Sequence, residues 1–590
     1  MDIFGVLTMI GGLSLFLYGM STMGDGLVML SGGKLERILE KLTQNRFMAL
    51  LLGALVTAVI QSSSATTVMV VGFVNSGIMK LTQAVGIIMG ANIGTTITSW
   101  ILSLTGISGD NVLISLLKPS SFSPVLAAVG VIFMMTGEVG SKKKIVGNIL
   151  LGFAVLMFGM ETMSDAVSPL KDNEAFTGML TAFSNPVLGM LAGAVLTAVI
   201  QSSSASVGIL QALCISGAVT YGTAIPIIMG QNIGTCVTAL ISSVGASRNA
   251  KRAAFIHLYF NLIGTVFFMG VFYTVNQIVN FSFMTDYVGA AGIAVIHSLF
   301  NVGCALLLFP FADYLVRLAT FTVKSEDEDT EAAERPAELA ALDERFLDTP
   351  SYAITLCRKA VIRMAEHTRD SILLAMDVQA QYASEKVAEV ERLEQLVDEY
   401  EDSVGTYLVK IAGKDLGKED SMMLSTLLHA ISDFERISDH AINIAESVDD
   451  MHSKGLAFSG KGRDELNSLE TAVRDIMQMT LRVFTDEDTA MAEHVEPLEE
   501  VIDDLVMEIK QRHIDRLKSG ECSMEAGIAL EDIITNYERV SDHCSNIAAA
   551  LIEIQSGGLD MHQYLDVRVK GSDPQFREEY LRLKNVYLLP

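Results

Sequence analysis

The chain has 590 residues, 50% of them hydrophobic, and its mean hydropathy of +0.39 is too high for an ordinary soluble protein of this size. Residues 1 to 322 hold 14 Lys and Arg against 12 Asp and Glu, a net of +2, while residues 323 to 590 hold 28 against 57, a net of −29. An apolar half therefore precedes an acidic, water-soluble half, which separates two domains and excludes a nucleic-acid partner.

Crossing the hydrocarbon layer takes about 20 apolar residues. Spans are predicted near 4 to 23, 82 to 105, 123 to 139, 146 to 163, 223 to 244, 254 to 274 and 289 to 310. The first is read as a retained membrane helix, because Asp2 stands where a signal peptide carries positive charge. The six cysteines, Cys214, Cys236, Cys304, Cys357, Cys522 and Cys544, form no CxxC pair or zinc-type cluster and read as reduced structural thiols.

Two stretches depart from the spanning pattern. TAVIQSSSA runs from Thr57 to Ala65 and returns from Thr197 to Ala205, 140 positions later. A glutamine and three serines inside apolar sequence are costly unless partnered. The apolar arms on either side are about 13 to 15 residues each, roughly 20 Å of helix, too short to span. Two half-helices joined at a polar turn predict a re-entrant hairpin in each copy, a broken backbone tolerated only where protein or a wet cavity surrounds it.

Short cytoplasmic loops are enriched in Lys and Arg. Placing the loop after the first helix inside puts Lys34, Arg37, Lys41, Arg46, Lys80, Lys142, Lys143, Lys144, Arg248, Lys251 and Arg252 inside, and only Lys118 and Lys171 outside. Seven crossings then put the N-terminus outside and the acidic half in the cytoplasm. The repeat extends at constant offset: Gly19-Met20 matches Gly159-Met160, Asp25 matches Asp165, Asn45 matches Asn185, and IIMGANIGT (Ile87 to Thr95) matches IIMGQNIGT (Ile227 to Thr235). The first copy starts outside and the second inside, the inverted-topology repeat of many secondary transporters, with a midplane site formed by discontinuous helices.

The QSSS turns and two helix breaks expected at NIGT concentrate amides, hydroxyls and free backbone groups. Serine hydroxyls, glutamine NH2 groups and half-helix N-termini suit a buried anion; hydroxyl and carbonyl oxygens suit Na+. Neither hairpin holds a Lys or Arg, so co-bound cations would supply the countercharge. A net negative charge moving into a negative interior costs about 2.3 kcal/mol per 100 mV, which again calls for coupled cations. Small polar residues also let membrane helices pack closely, but two identical copies, each with its NIGT, favour a site.

TAVIQSSSATT, TAVIQSSSASV and the paired NIGT motifs resemble the sodium/phosphate cotransporter family over about residues 5 to 310. The resemblance implies that Gln61, Ser62, Ser63 and Ser64 with Gln201, Ser202, Ser203 and Ser204 contact phosphate and sodium, with Asn92, Thr95, Asn232 and Thr235 as second contributors. Thr66-Thr67 becomes Ser206-Val207, and Thr96 becomes Cys236, so an ion site in one half need not recur in the other. His257 with Asn261 and His297 with Asn301 recur as H-x-x-x-N, one helix turn apart, and read as interhelical hydrogen bonding, with gating or proton sensitivity as the other reading.

Between Glu326 and Glu344 nine acidic residues face one arginine, a linker composition. From about 346 the pattern is helical, with long 3.6-residue periodicity and little proline. DFERISDHAINIA (Asp433 to Ala445) aligns with NYERVSDHCSNIA (Asn536 to Ala548), and LEQLVDEY (Leu393 to Tyr400) with LEEVIDDL (Leu498 to Leu505). Glu435 and Asp439, like Glu538 and Asp542, share one helix face; with Asp398 and Asp503 from a second helix they are candidate ligands, next to His440 and His543. These residues resemble the PhoU-like fold over about residues 346 to 560, which implies twin three-helix bundles and a divalent or iron-type metal.

The expected fold is all-α: a membrane domain over 1–322 (repeats at about 5–140 and 145–275, a final helix at 289–310), an acidic linker over 323–345, a PhoU-like domain over 346–560 and a tail over 561–590. The expected function is sodium-coupled symport of inorganic phosphate across the inner membrane, with the acidic half regulating it. Expected partners are phosphate, Na+ as coupling ion, membrane lipid, a second copy in a homodimer and a cytoplasmic regulator. No nucleophile with an organised base and no Walker-type glycine loop is visible, which argues against an enzyme and an ATP-driven pump. A phosphate sensor without transport, and an exporter of phosphate or another oxyanion, are the alternatives.

Overall fold

A computed structural model of the protein describes residues 3–31, 45–106, 119–169, 182–324, 336–556 and 574–590, with isolated positions at 34, 38, 39 and 178. Arg37, Lys41, Lys118 and Lys171 of the charge argument, residues 325–335 of the acidic linker and 561–573 of the tail lie outside the described residues. Every regular element described is a helix, apart from one isolated bridge between Thr220 and Tyr287. The chain divides into two compact units, 1–353 with 415–418, and 354–414 with 419–590.

In the first unit, α1 (Ile3–Ser31) is followed by two short helices, α2 (Arg46–Ile60) and α3 (Ser63–Asn75), and by α4 (Leu81–Ser103), α5 (Pro119–Thr136) and α6 (Lys142–Val167). The second copy repeats the order with α7 (Pro186–Ile200), α8 (Ser203–Ile215) and α9 (Tyr221–Ser242); α10 (Arg248–Val279), α11 (Ala290–Leu308) and α12 (Ala312–Thr322) complete it. Among the described residues, six helical stretches are long and apolar enough to cross a membrane: Ile3–Ser31, Leu81–Gly106, Lys142–Val167, Tyr221–Ser242, Arg248–Val279 and Ala290–Thr322. The remaining expected span falls on α5, whose described apolar part, Ser121–Thr136, is shorter than a full crossing.

Glycine sets the packing. A Cβ on Gly12 would stand 2.9 Å from the Met163 amide nitrogen, and one on Gly19 only 2.3 Å from that of Leu156. As the contact advances along α1 it retreats along α6, so these two sequence-equivalent helices run antiparallel, as an inverted repeat requires. The NIGT segments are not breaks. α4 and α9 run through them as continuous helices, and their glycines admit the neighbouring short helix: a Cβ on Gly90 would fall 2.0 Å from the Leu50 carbonyl oxygen, and one on Gly230 1.9 Å from that of Met190. In helix-on-helix contact these residues serve as close-approach points rather than turns.

The acidic linker also differs from a solvated tether where it is described. α13 (Ala337–Ala340) and the 3-10 turn Glu344–Asp348 bury Leu339, Ala341 and Phe346 within the first unit. Apolar residues spaced among the acids supply the anchorage that composition alone conceals.

The second unit is built from α14 (Pro350–Ala380), α15 (Ser384–Ala412), α16 (Lys418–Ser453), α17 (Gly460–Asp486), the short α18 (Thr489–Ala492), α19 (Val495–Ser519), α20 (Met524–Ser556) and α21 (Pro574–Val586). The division of the chain runs within α14 and α16, at Ala353 and Lys418. Buried residues on α16 (Leu427, Ile431, Phe434, Ile437, Ala441) follow the 3.6-residue period of a core-facing stripe. The Nδ1 of His440 meets Asn536 Oδ1 at 2.7 Å and, reciprocally, the Nδ1 of His543 meets Asp433 Oδ1 at 2.9 Å. The rings lie 5.7 Å apart, so the two ERxSDH helices lock to each other through the residues that differ between them, Asp433 and Asn536.

Candidate functional site

Each QSSS turn is the same helix break built twice. Gln61 caps the C-terminus of α2 with φ 61° and ψ 21°, and Gln201 caps α7 with φ 58° and ψ 21°. This left-handed backbone normally falls to Gly or Asn, because a Cβ there meets the following carbonyl. Ser62 and Ser202 then cap the next helix, each hydroxyl accepting from the amide three residues on, Ala65 at 3.1 Å and Ala205 at 3.2 Å. Thr57 donates to Thr66 at 3.0 Å and Thr197 to Ser206 at 2.8 Å, tying the two arms. The Thr66-to-Ser206 change therefore keeps its bond, whereas the one from Thr67 Oγ1 to the Ser63 carbonyl, 2.8 Å, has no counterpart at Val207.

The two turns meet. Ser63 Oγ and Ser203 Oγ lie 3.4 Å apart, and Ser64 Oγ donates to the Gln201 carbonyl at 3.5 Å. Around them lies a cavity of about 310 Å3, lined by Gln61 and the serines of both turns. The Gln61 side chain is 7% exposed; its Nε2 donates to the Ala58 carbonyl, leaving Oε1 buried without a protein partner. Gln201 is exposed and does not line the cavity, so the two copies stand in different environments.

Asn92, Thr95, Asn232 and Thr235 are buried but do not line this cavity. Their side chains donate to carbonyls of their own helices, at 2.9 Å (Ile88), 3.0 Å (Ala91), 2.9 Å (Ile228) and 2.9 Å (Gln231). Asn261 and Asn301 likewise donate to the carbonyls of His257 and His297 one turn back. Sequence reasoning missed Asp25, Asp348 and Thr349, which line the cavity. Asp25 is legible as a repeat position matched by Asp165; the signal for Asp348 lies in no motif. Among the described lining residues there are two carboxylates and no Lys or Arg.

In the second unit, Glu394 and Asp398 on α15 gather with Asp439 on α16, and Glu499 and Asp503 on α19 with Asp542 on α20, each trio offering oxygens within 4.8 Å of one another. Glu394 and Glu499 were missed although each stands four residues before its aspartate, the spacing noticed only on the partner helices. Glu435 lies close by: burial, then Asp439 and Asp398, push its carboxyl up to about 7. Glu538 instead pairs with Lys510 at 3.3 Å. Burial and the surrounding acids raise Glu499 to about 9 and Asp503 to about 6. Such clusters suit a cation that takes oxygen ligands.

Comparison with known proteins bears on both halves. The Na+/Pi-cotransporter family model matches residues 15–165 and 155–286, and the PhoU domain model matches 361–448 and 466–551. A Salmonella typhimurium protein named "Putative inorganic phosphate export protein YjbB" is 23% identical over 555 residues, 93% of this chain and 97% of its own length. Bacillus subtilis YqeW is 31% identical over 304 residues, 51% of this chain and 93% of its own. The rat sodium-dependent phosphate transport protein 2A is 37% identical over 99 residues, 16% of this chain and 15% of its own. The chain belongs to the Na+/Pi-cotransporter family of phosphate transporters and carries C-terminal PhoU domains.

Proposed function

We propose that the protein is a sodium-coupled inorganic phosphate symporter of the cell's inner membrane, working by alternating access, with a cytoplasmic PhoU-like half that regulates it. The observation that carries the reading is the meeting of Ser63 and Ser203 in one cavity lined by hydroxyls from both repeats. Hydroxyls and the α3 and α8 N-termini are donors for a bound anion. With Asp25 on the wall and no cation among the described lining residues, a divalent anion is repelled unless Na+ enters with it. Asp25 and the turn oxygens are hard donors of the kind Na+ takes. Gln61, Ser63, Ser64, Ser203 and Ser204 are assigned to phosphate and sodium; Ser62, Ser202 and Gln201 shape the turns as well. Asn92, Thr95, Asn232 and Thr235 are assigned to the supporting helices.

Export is the second reading: the relative named for phosphate export covers both halves of this chain, whereas the sodium-dependent relative covers a small part. The acidic trios, with Glu435 and Glu538 at their margins, are proposed to hold a divalent cation in the regulatory half. Radiolabelled phosphate flux in sealed vesicles of known orientation tests the reading. Flux that follows an imposed Na+ gradient in either direction is expected, together with its loss in Gln61→Ala. Equal flux in potassium alone would refute sodium coupling, and phosphate binding without flux would favour the sensor reading.

A further inference from the structure

The segment joining the two halves takes part in the cavity. Asp343, 9% exposed, accepts from Asn75 Nδ2 at 2.6 Å and from Arg345 at 2.6 Å, and Arg345 Nε donates to the Ser242 carbonyl at 2.9 Å. Asn75 ends α3 of the first repeat, and its Oδ1 accepts from the Ser247 amide at 2.7 Å; Ser242 ends α9 of the second repeat. One half-buried polar network thus fastens α3 of the first repeat to the second repeat. Beside it, Phe346 is wholly buried against Phe73 and Tyr352, with ring centroids 5.2 and 5.3 Å away.

The seat is specific to the first repeat. A Cβ at Gly72 would stand 3.0 Å from the Phe346 ring, and the equivalent positions of Gly72 and Phe73 in the second repeat are Ala212 and Leu213. Two residues beyond Phe346, Asp348 and Thr349 reach the wall of the QSSS cavity.

We propose that Asp343–Thr349 is a built-in brake, a strap that when seated clamps the first hairpin to the second repeat and holds the Asp348 carboxylate against the cavity that receives the anion. Unseating it frees the hairpin and withdraws a negative charge from the cavity wall. The strap ends where α14 begins, so the covalent path into the second unit passes through it. The inference rests on the transport reading of the QSSS cavity, and its test separates the two.

The full chain, with half-buried Cys522 replaced by Ser and the five buried cysteines kept, carries Ser64→Cys as a reporter and is reacted with a hydrophilic thiol reagent in vesicles. Phe346→Ala is expected to raise the labelling rate about tenfold by shifting the strap equilibrium, and the isosteric Asp343→Asn, which leaves the aromatic packing intact, by a smaller factor in the same direction. With Ser64 restored, Asp348→Asn is expected to lower the phosphate concentration giving half-maximal flux by about threefold, for removal of one exposed like charge. No change of labelling in Phe346→Ala or Asp343→Asn, with either protein folded as its parent, would overturn the brake whether or not phosphate is carried. Labelling that responds, with no phosphate flux in the same chain carrying Ser64, would uphold the strap and refute the transport reading.

Discussion

Replacing Gln61 by glycine separates what the turn needs from what the cavity needs. In the folded protein Gln61 sits at φ 61°, a conformation that costs an L-residue about 1 to 2 kcal/mol and glycine nothing. Removing the side chain also removes the buried Oε1, an unpaired acceptor worth about 1 to 3 kcal/mol of desolvation. Against these gains stand a lost bond from Nε2 to the Ala58 carbonyl, about 1 kcal/mol, and two buried methylenes, about 1.6 kcal/mol. Glycine's greater freedom in the unfolded chain costs a further 0.5 to 1 kcal/mol or so. The terms cancel to within about 2 kcal/mol, so Gln61→Gly is expected to unfold within a few degrees of the parent in detergent, while phosphate flux in proteoliposomes falls to background. Gln61→Ala keeps the backbone strain but also one buried carbon and the stiffer unfolded chain, so it is expected within about 1 kcal/mol of the glycine variant, with the same loss of flux. A Gln61→Gly protein that transports normally would refute the assignment of Gln61 to the site; one that is well over about 2 kcal/mol less stable than the parent would refute the account of the turn.

Glu470, raised to about 7 chiefly by burial despite the Tyr537 hydroxyl donating to it at 2.9 Å, gives a pH dependence. Its folded pKa lies above the ordinary 4.5, so its contribution is fully present below pH 4.5 and lost as pH rises through 7. Glu470→Gln is expected to stabilise the protein at pH 8 by about 1 to 3 kcal/mol and to have little effect at pH 4.5, read from thermal unfolding at both pH values; equal effects at the two would refute it. Millimolar Mn2+ is expected to raise the unfolding temperature of the full chain, by an amount corresponding to about 2.7 kcal/mol at a hundredfold excess over Kd. Asp503→Asn with Asp542→Asn is expected to remove the contribution of one trio, and an unchanged Mn2+ response would exclude that trio. Gly90→Ala, whose Cβ would fall 2.0 Å from the Leu50 carbonyl oxygen, is expected to cost about 3 kcal/mol or more in the same measurement, because backbone must move to admit it.

The helix breaks at QSSS were legible because a polar tetrad between two apolar arms is a local pattern, and the repeat doubled the signal. The NIGT segments misled because glycine in a sequence reads as a breaker; here Gly90, Gly94, Gly230 and Gly234 lie inside continuous helices, and only the neighbouring backbone explains them. Asp25 was visible as a repeat position but not as a cavity residue, since its approach to Gln61 spans 36 positions and depends on how α1 packs. His440 and His543 stood beside the candidate ligands in sequence, yet at i+1 they face another way along the helix and join α16 to α20. The strap was hidden by its composition. Asp343, Arg345 and Asp348 look like solvated charge until Phe346 and Leu339 are seen to be buried.

Two copies of one motif, related by an inverted repeat, need not occupy the same environment, and here they do not. Gln61 is buried against the cavity while Gln201 is exposed, although both caps have the same backbone to within a few degrees. Asp25 lines the cavity and its counterpart Asp165 does not, although both are exposed. The difference therefore arises from how each turn is packed, not from how it is folded. On the proposed alternating-access reading, exchange of the two environments is the transport step, with the contact between Ser63 and Ser203 near the axis about which it occurs. The strap breaks the symmetry in one direction only, because Gly72 and Phe73 receive Phe346, whereas the equivalent positions of the second repeat carry Ala212 and Leu213. A device that grips one repeat biases such an exchange toward the conformer in which that repeat's turn is buried. That bias requires thiol labelling at position 201 to fall, and at position 61 to rise, when the strap is unseated.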